Sequence, residues 1–124
     1  MARDKVIIND STTHALVRVY DTAGNGTVEL QMSEISGTNG TSVVALEQIQ
    51  YSFIQSDKEF LLEFSDNSTD VVIYELYGQG EIGGEGMRIS SNLDASGGQD
   101  RIKFTFASSC VGSALILLRK VSGF

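Results

Sequence analysis

A chain of 124 residues, 41% hydrophobic and 20% charged, has the length and balance of one globular domain. Its 16 acidic and 9 basic side chains leave a net charge of −7, which argues against a general nucleic-acid binder, because such proteins neutralise phosphates with Lys and Arg. The one cysteine, Cys110, excludes an intrachain disulfide, and no apolar run approaches the ~20 residues a membrane-spanning helix needs.

The N-terminal MARDKVIIND does not read as a signal peptide. With a lone cysteine it predicts folding in a reducing cytoplasm. Val6 to Ile8 is a short strand, followed by the polar turn NDSTTH. Ala15 to Asp21 is a second strand, with Leu16, Arg18 and Tyr20 on one face and Val17 and Val19 on the other. TAGNG, Thr22 to Gly26, is expected to be a hairpin-type turn, since Asn-Gly readily supplies positive φ. Thr27 to Ser33 is a half-buried strand with Val28, Leu30 and Met32 on one side. GTNGT, Gly37 to Thr41, is another turn.

From Val43 to Phe53 the apolar parity changes. Val44 and Leu46 share one phase; Ile49, Tyr51 and Phe53 share the other. A bulge near Glu47-Gln48, or two short strands, reconciles them. The stretch Ile49 to Ile82 reads as three consecutive strands, and the chain is organised around it. SDKE, Ser56 to Glu59, separates the first from Phe60 to Ser65. DNSTD, Asp66 to Asp70, separates that from Val71 to Tyr77. Then comes GQGEIGGEG, five glycines in nine residues, expected to be a bend or bulge where backbones approach closely. It lacks the Lys and Ser/Thr of a phosphate-binding loop, and Glu81 and Glu85 would repel phosphate.

Met87 to Ser91 is a short strand and NLDASGGQ, Asn92 to Gln99, a loop. Asp100 to Ala107 alternates with Ile102, Phe104 and Phe106 inward. Ser113 to Val121 is apolar on both parities, which suits a central strand or one lying against another subunit. Seven to nine short strands and no helical periodicity predict an all-β, antiparallel, jelly-roll-like sandwich in one domain, residues 1–124. Phe53, Phe60, Phe64, Phe104 and Phe106 are the expected core.

Catalytic equipment is sparse. One histidine, His14, and Cys110 lie far apart in sequence, and no serine sits in a nucleophile-elbow context. Cys110, among apolar neighbours, reads as a buried small hydrophobe. Glu47, Glu63 and Glu75 fall on strands as outward carboxylates. The chain is therefore expected not to be an enzyme, and to need no cofactor or metal. Asp66, Asn67, Ser68 and Asp70 have the spacing of oxygen ligands for a hard cation, but a polar turn is the better reading. The sequons at Asn25, Asn39 and Asn67 all fall in turns, where Asn is favoured anyway.

The order of motifs carries a resemblance. An I-x-Y-S strand, Ile49 to Ser52, precedes F-L-L-E-F-S-D, Phe60 to Asp66, then a polar turn and a hydrophobic strand. Gly78 to Gly80 follow, then a short strand ending at Asn92, D-x-I at Asp100 to Ile102, and an apolar strand, Leu115 to Lys120. Over about the last three-fifths of the chain this resembles small all-β virion structural proteins of tailed bacteriophages. The resemblance implies a particle component made in the host cytoplasm and residing in the virion. It would be a head decoration or cement protein binding the major capsid protein, or a neck or tail accessory, and a homo-oligomer with no nucleic-acid or membrane partner. The first ten residues are the expected contact arm, through Arg3, Lys5, Val6, Ile7 and Ile8, unless they are an edge strand of their own domain. A carbohydrate- or receptor-binding module is the alternative, with Tyr77 as its candidate residue.

Overall fold

The computed structural model describes residues 3–37, 43–65, 70–83, 89–90 and 101–122. The strands are β1 (Arg3–Asp10), β2 (His14–Asp21), β3 (Gly24–Gln31), β4 (Val43–Phe53), β5 (Phe60–Ser65), β6 (Asp70–Leu76), β7 (Gln79–Gly83), β8 (Ile89–Ser90), β9 (Arg101–Ser108) and β10 (Gly112–Ser122). β1-β2-β10-β4-β7 form one antiparallel sheet, with the two-residue β8 also on β4. β3-β9-β5-β6 form the other. The pairing is nested: β5 with β6, β4 with β7, β3 with β9, β2 with β10. A long antiparallel hairpin is thus rolled on itself, the jelly-roll sandwich expected.

The parity change in β4 is a bulge at Glu47. Leu117 lies opposite Gln48 and Leu118 opposite Leu46, so Glu47 is the extra residue. Val44 and Leu46 before it, and Ile49 and Phe53 after it, all reach the core. Between the sheets the five expected phenylalanines are buried. Phe53 of the six-stranded sheet meets Phe60 at 5.0 Å and Phe106 edge-on at 6.1 Å; Phe60 meets Phe104 and Phe106 at 6.1 and 5.0 Å. Such pairs add about 0.5–1.5 kcal/mol each beyond the area they bury. β10 is central, as its double apolar parity implies: Ala114, Ile116 and Leu118 face inward, Leu115 and Leu117 outward.

Some local expectations are corrected. TAGNG is not a hairpin, because β2 and β3 belong to different sheets. The positive φ values fall at Gly24 (+79°) and Asn25 (+63°), one residue earlier than expected. The buried Asp21 carboxylate organises this crossing by accepting the Ala23 and Gly24 N–H groups at 2.8 and 2.7 Å and Arg3 Nε at 2.8 Å. β3 stops at Gln31, and Met32–Glu34 is a 3-10 turn whose Glu34 carboxylate accepts the Gln31 N–H. Met32 stays buried. The start of the glycine-rich stretch is strand β7; the close approach there is the Tyr51 side chain over Gly80, where a Cβ would meet the phenolic oxygen at 2.6 Å. Gly37 has positive φ, but the rest of GTNGT, the centre of DNSTD and the loop at 91–100 lie outside the described residues. The β5–β6 ladder still closes at Ser65 opposite Asp70.

One end of the roll is clasped by a buried cation. Lys120 Nζ, on a side chain only 3% exposed, donates to Asp10 Oδ1 at 2.6 Å and to the Ser36 carbonyl at 3.0 Å. Asp10 also accepts the Ser36 N–H at 2.8 Å. Burial opposes ionisation of Asp10, but the hydrogen bonds from Lys120 and Ser36 outweigh it and hold the carboxyl below its ordinary value. At Asp21 burial is likewise outweighed, by the Ala23 N–H, Arg3 and the Gly24 N–H.

Both lowered aspartates stabilise the fold fully above the unfolded pKa of about 3.9, and that stability is lost as pH falls through their folded values. Urea midpoints taken from pH 6 down to pH 2 should therefore drop steeply below about pH 4, and Asp10→Asn should flatten the drop. Gly112 gives a second expectation. Its φ is +150° and a Cβ there would stand 2.1 Å from the Ser52 carbonyl oxygen. Gly112→Ala should cost roughly 3 kcal/mol or more. At Gly78 (φ +67°) the nearest atoms lie at 3.9 Å, so Gly78→Ala should cost only about 1–2 kcal/mol. Urea unfolding of the two variants checks the contrast.

Candidate functional site

The structure divides the expected contact residues. β1 is the outer strand of the six-stranded sheet, paired to β2 along its length, with Ile8 as a bulge between Ile7 and Asn9. Arg3 and Lys5 are turned to their own domain: Arg3 pairs with Asp21 and Lys5 Nζ lies 3.2 Å from Glu34. Ile7 packs against the core. Val6 and Ile8 are the two left in solvent, 47% and 51% exposed. Their large apolar side chains arise because alternation along β1 aims them away from the core.

Tyr77 is not brought near β1. It follows β6, the terminal strand of the other sheet. It borders a shallow cleft of about 260 Å³ with Asp57, Lys58, Glu59 and Ser108. Its hydroxyl donates to the Glu75 carboxylate. That hydrogen bond, helped by desolvation, pushes the phenol up to about 12. Glu59 is pushed up by its own hydrogen bond with Glu75, while Glu75 is pulled down by the hydrogen bonds from Tyr77 and Glu59. The phenol is thus committed to a carboxylate pair on its own sheet and does not offer a bare ring with a free hydroxyl.

His14 also has partners that are distant in sequence. Its Nε2 is 3.0 Å from Glu47 Oε2, and Arg119 Nε is 3.2 Å from Glu47 Oε1. The bulge that corrects the β4 register places Glu47 between them. Among the described residues no three His, Cys, Asp or Glu side chains stand together as a metal site. Residues 66–69 of the candidate cation turn lie outside those residues. Cys110 is buried, and that burial pushes its thiol up, as suits a packing residue.

Sequence reasoning missed the outward face of the six-stranded sheet. A groove of about 580 Å³ crosses it, lined by Gln50, Ser52, Gln79, Glu81, Ser113 and Leu115. It meets, at Gln50 and Leu115, a second depression of about 240 Å³ formed with Leu16, Gln48 and Leu117. The register explains the grouping: Gln50 lies opposite both Leu115 and Glu81, and Ser52 opposite both Ser113 and Gln79. The one sequence signal was the second apolar parity of β10. Nothing local to β4 or β7 says that they flank it.

No protein-family model matches the chain, and no curated protein matches it in sequence. Among solved structures, it is similar to a cupin domain from Bordetella pertussis Tohama I, at 7% identity over 98% of this chain and 95% of that one, with a TM-score of 0.44. It is also similar to a carbohydrate-binding module, a CBM4, at 10% identity over 97% and 95% of the two chains, with a TM-score of 0.36. At these values neither likeness carries an activity across.

The Tyr77 environment can be read directly. Alkaline titration of the tyrosine absorbance should show one phenol titrating near 12, above the ordinary ~10. Tyr77→Phe should remove that step, and Glu75→Gln should lower it. A wild-type titration with every tyrosine near ~10 would mean the Tyr77–Glu75 hydrogen bond does not form in solution.

Proposed function

We propose that this chain is a non-enzymatic structural component of a phage particle, a decoration or cement protein that seats on the major capsid shell. The exposed edge of β1 carries the reading, because it presents Val6 and Ile8 to solvent at the rim of a six-stranded sheet. An edge strand offers unpaired backbone groups to a neighbouring chain, and alternate side chains set the fit. The bulge at Ile8 and the charge of Asp4 guard this edge against indiscriminate pairing. The resemblance of the strand and turn order to small virion proteins supports the same reading.

The energetics suit a repeated lattice. Completing the burial of two half-exposed aliphatic side chains contributes about 1 kcal/mol each, and each edge hydrogen bond about 0.5–1.5 kcal/mol net. A single contact of this kind is weak. A closed oligomer on a symmetric shell multiplies it through effective concentration. The net charge of −7 keeps free closed oligomers from associating further before they reach the shell.

Deletion of the gene from the encoding phage, followed by add-back of purified protein, tests this. Wild-type protein should co-sediment with the deficient particles, and the Val6→Lys, Ile8→Lys double variant should not, while melting at a similar temperature. Light scattering behind a sizing column should show a closed oligomer such as a trimer. Absence of the protein from wild-type particles by mass spectrometry would overturn the proposal.

A further inference from the structure

The groove on the outward face of the six-stranded sheet lies on β10, β4 and β7, at least two strands in from β1, and shares no residue with the docking edge just described. Its lining is mostly polar, with an apolar floor. Gln50 and Gln79 supply amides, each both donor and acceptor, and Ser52 and Ser113 supply hydroxyls. No hydrogen bond within the described residues occupies these four side chains. Among the described residues Glu81 is the one charged group lining the groove, and it accepts a hydrogen bond from Gln48 Nε2. Gly83, opposite Gln48, makes this reach possible, since a Cβ there would meet Gln48 Cγ at 3.1 Å. Leu115 lies in the floor where the two depressions meet, and Leu117 and Leu16 continue it.

This chemistry selects a ligand class. A phosphate or other anion is disfavoured, because among the described residues no Lys or Arg lines the groove, Arg18 beside Leu115 lies over the Tyr20 ring, and Glu81 repels an anion. A protein docking face would enrich aromatics, Met and Arg at its centre and deplete serine; here amides and hydroxyls dominate, and Tyr51, the aromatic among the described lining residues, packs against the core. The volume of about 580 Å³ is within the range of small-molecule sites. Neighbouring strands are about 4.8 Å apart, and Arg18, Leu115, Gln50 and Glu81 form one row across β2, β10, β4 and β7, so Leu115 is an apolar step with a polar side chain on either side. A sugar ring has this pattern: hydroxyls at its rim and C–H groups on its face. We infer that the outward face of β7, β4 and β10 binds a neutral oligosaccharide, with Gln50, Gln79 and Glu81 taking the ring hydroxyls and Leu115 the C–H face. This site is on a different sheet from Tyr77, and it goes beyond the particle reading without depending on it.

The test is titration calorimetry of the full chain with cellohexaose, xylohexaose, mannohexaose and maltohexaose, and with a sialylated oligosaccharide as the charged control. At least one neutral hexasaccharide should bind with a Kd of about 1 mM or tighter, and the sialylated one more weakly. Gln50→Ala with Glu81→Ala should weaken that binding at least tenfold with no change in melting temperature. Tyr77→Ala and the Val6→Lys, Ile8→Lys variant should bind the sugar as wild type does, which separates this site from both the Tyr77 cleft and the shell contact. No neutral oligosaccharide bound at millimolar concentration, or binding indifferent to the Gln50 and Glu81 changes, would overturn the inference. So would a protein partner displaced by that same double variant.

Discussion

Five phenylalanine rings have to leave water, and no single sheet can hide them. Phe53 comes from one sheet and Phe60, Phe64, Phe104 and Phe106 from the other. Their contacts across the gap hold the two layers together. Each such ring contributes about 1.5–3 kcal/mol by burial, which is a large part of a domain's net stability. The nested pairing is what brings them together. β5 and β9 are distant in sequence yet adjacent in space, with Phe60 opposite Phe106 and Leu62 opposite Phe104. Long-range pairings of this kind make the fold slow to form but cooperative once formed.

The same roll places its charges with care. Lys120 and Asp21 are buried, and each is satisfied by several partners rather than by one. A buried charge with a missing partner would cost several kcal/mol. Together they tie the two ends of β1 to β10 and to the β2–β3 crossing, so β1 is integral to the domain. The proposed contact at the outer rim of β1 depends on this, because only a firmly held strand can present a fixed edge to a neighbour.

Two surfaces follow from one architectural fact. A central strand such as β10 turns one side chain in two away from the core, and its neighbours decide what surrounds them. Leu115 and Leu117 therefore lie half-buried in the middle of the sheet, bordered by glutamines from β4. The rim at β1 and this face share no residues, so the proposed particle docking and the proposed sugar capture would not compete. A protein seated at its edge on a shell would still present the broad face of its sheet outward.

Much of the fold was legible in the residues themselves. Period-2 alternation in Phe60 to Ser65 and Asp100 to Ala107 announces strands and names the inward rings, because a strand has only two faces. The parity slip between Leu46 and Ile49 announces the bulge at Glu47, since a register that buries one set exposes the other. Alternation does not carry the identity of the strand next door. TAGNG looks like a hairpin because its chemistry permits one; whether β3 returns to β2 or crosses to the other sheet is decided by which pairing buries Val28 and Leu30. Arg3 and Lys5 look free in a line of text, yet are neutralised by Asp21 and Glu34, 18 and 29 positions away. The groove, too, is invisible locally: Gln50, Glu81 and Leu115 come from three strands. Side-chain periodicity is a property of each strand alone and so lies in the sequence, whereas adjacency is set by burial across the whole chain, and only the tertiary structure decides it.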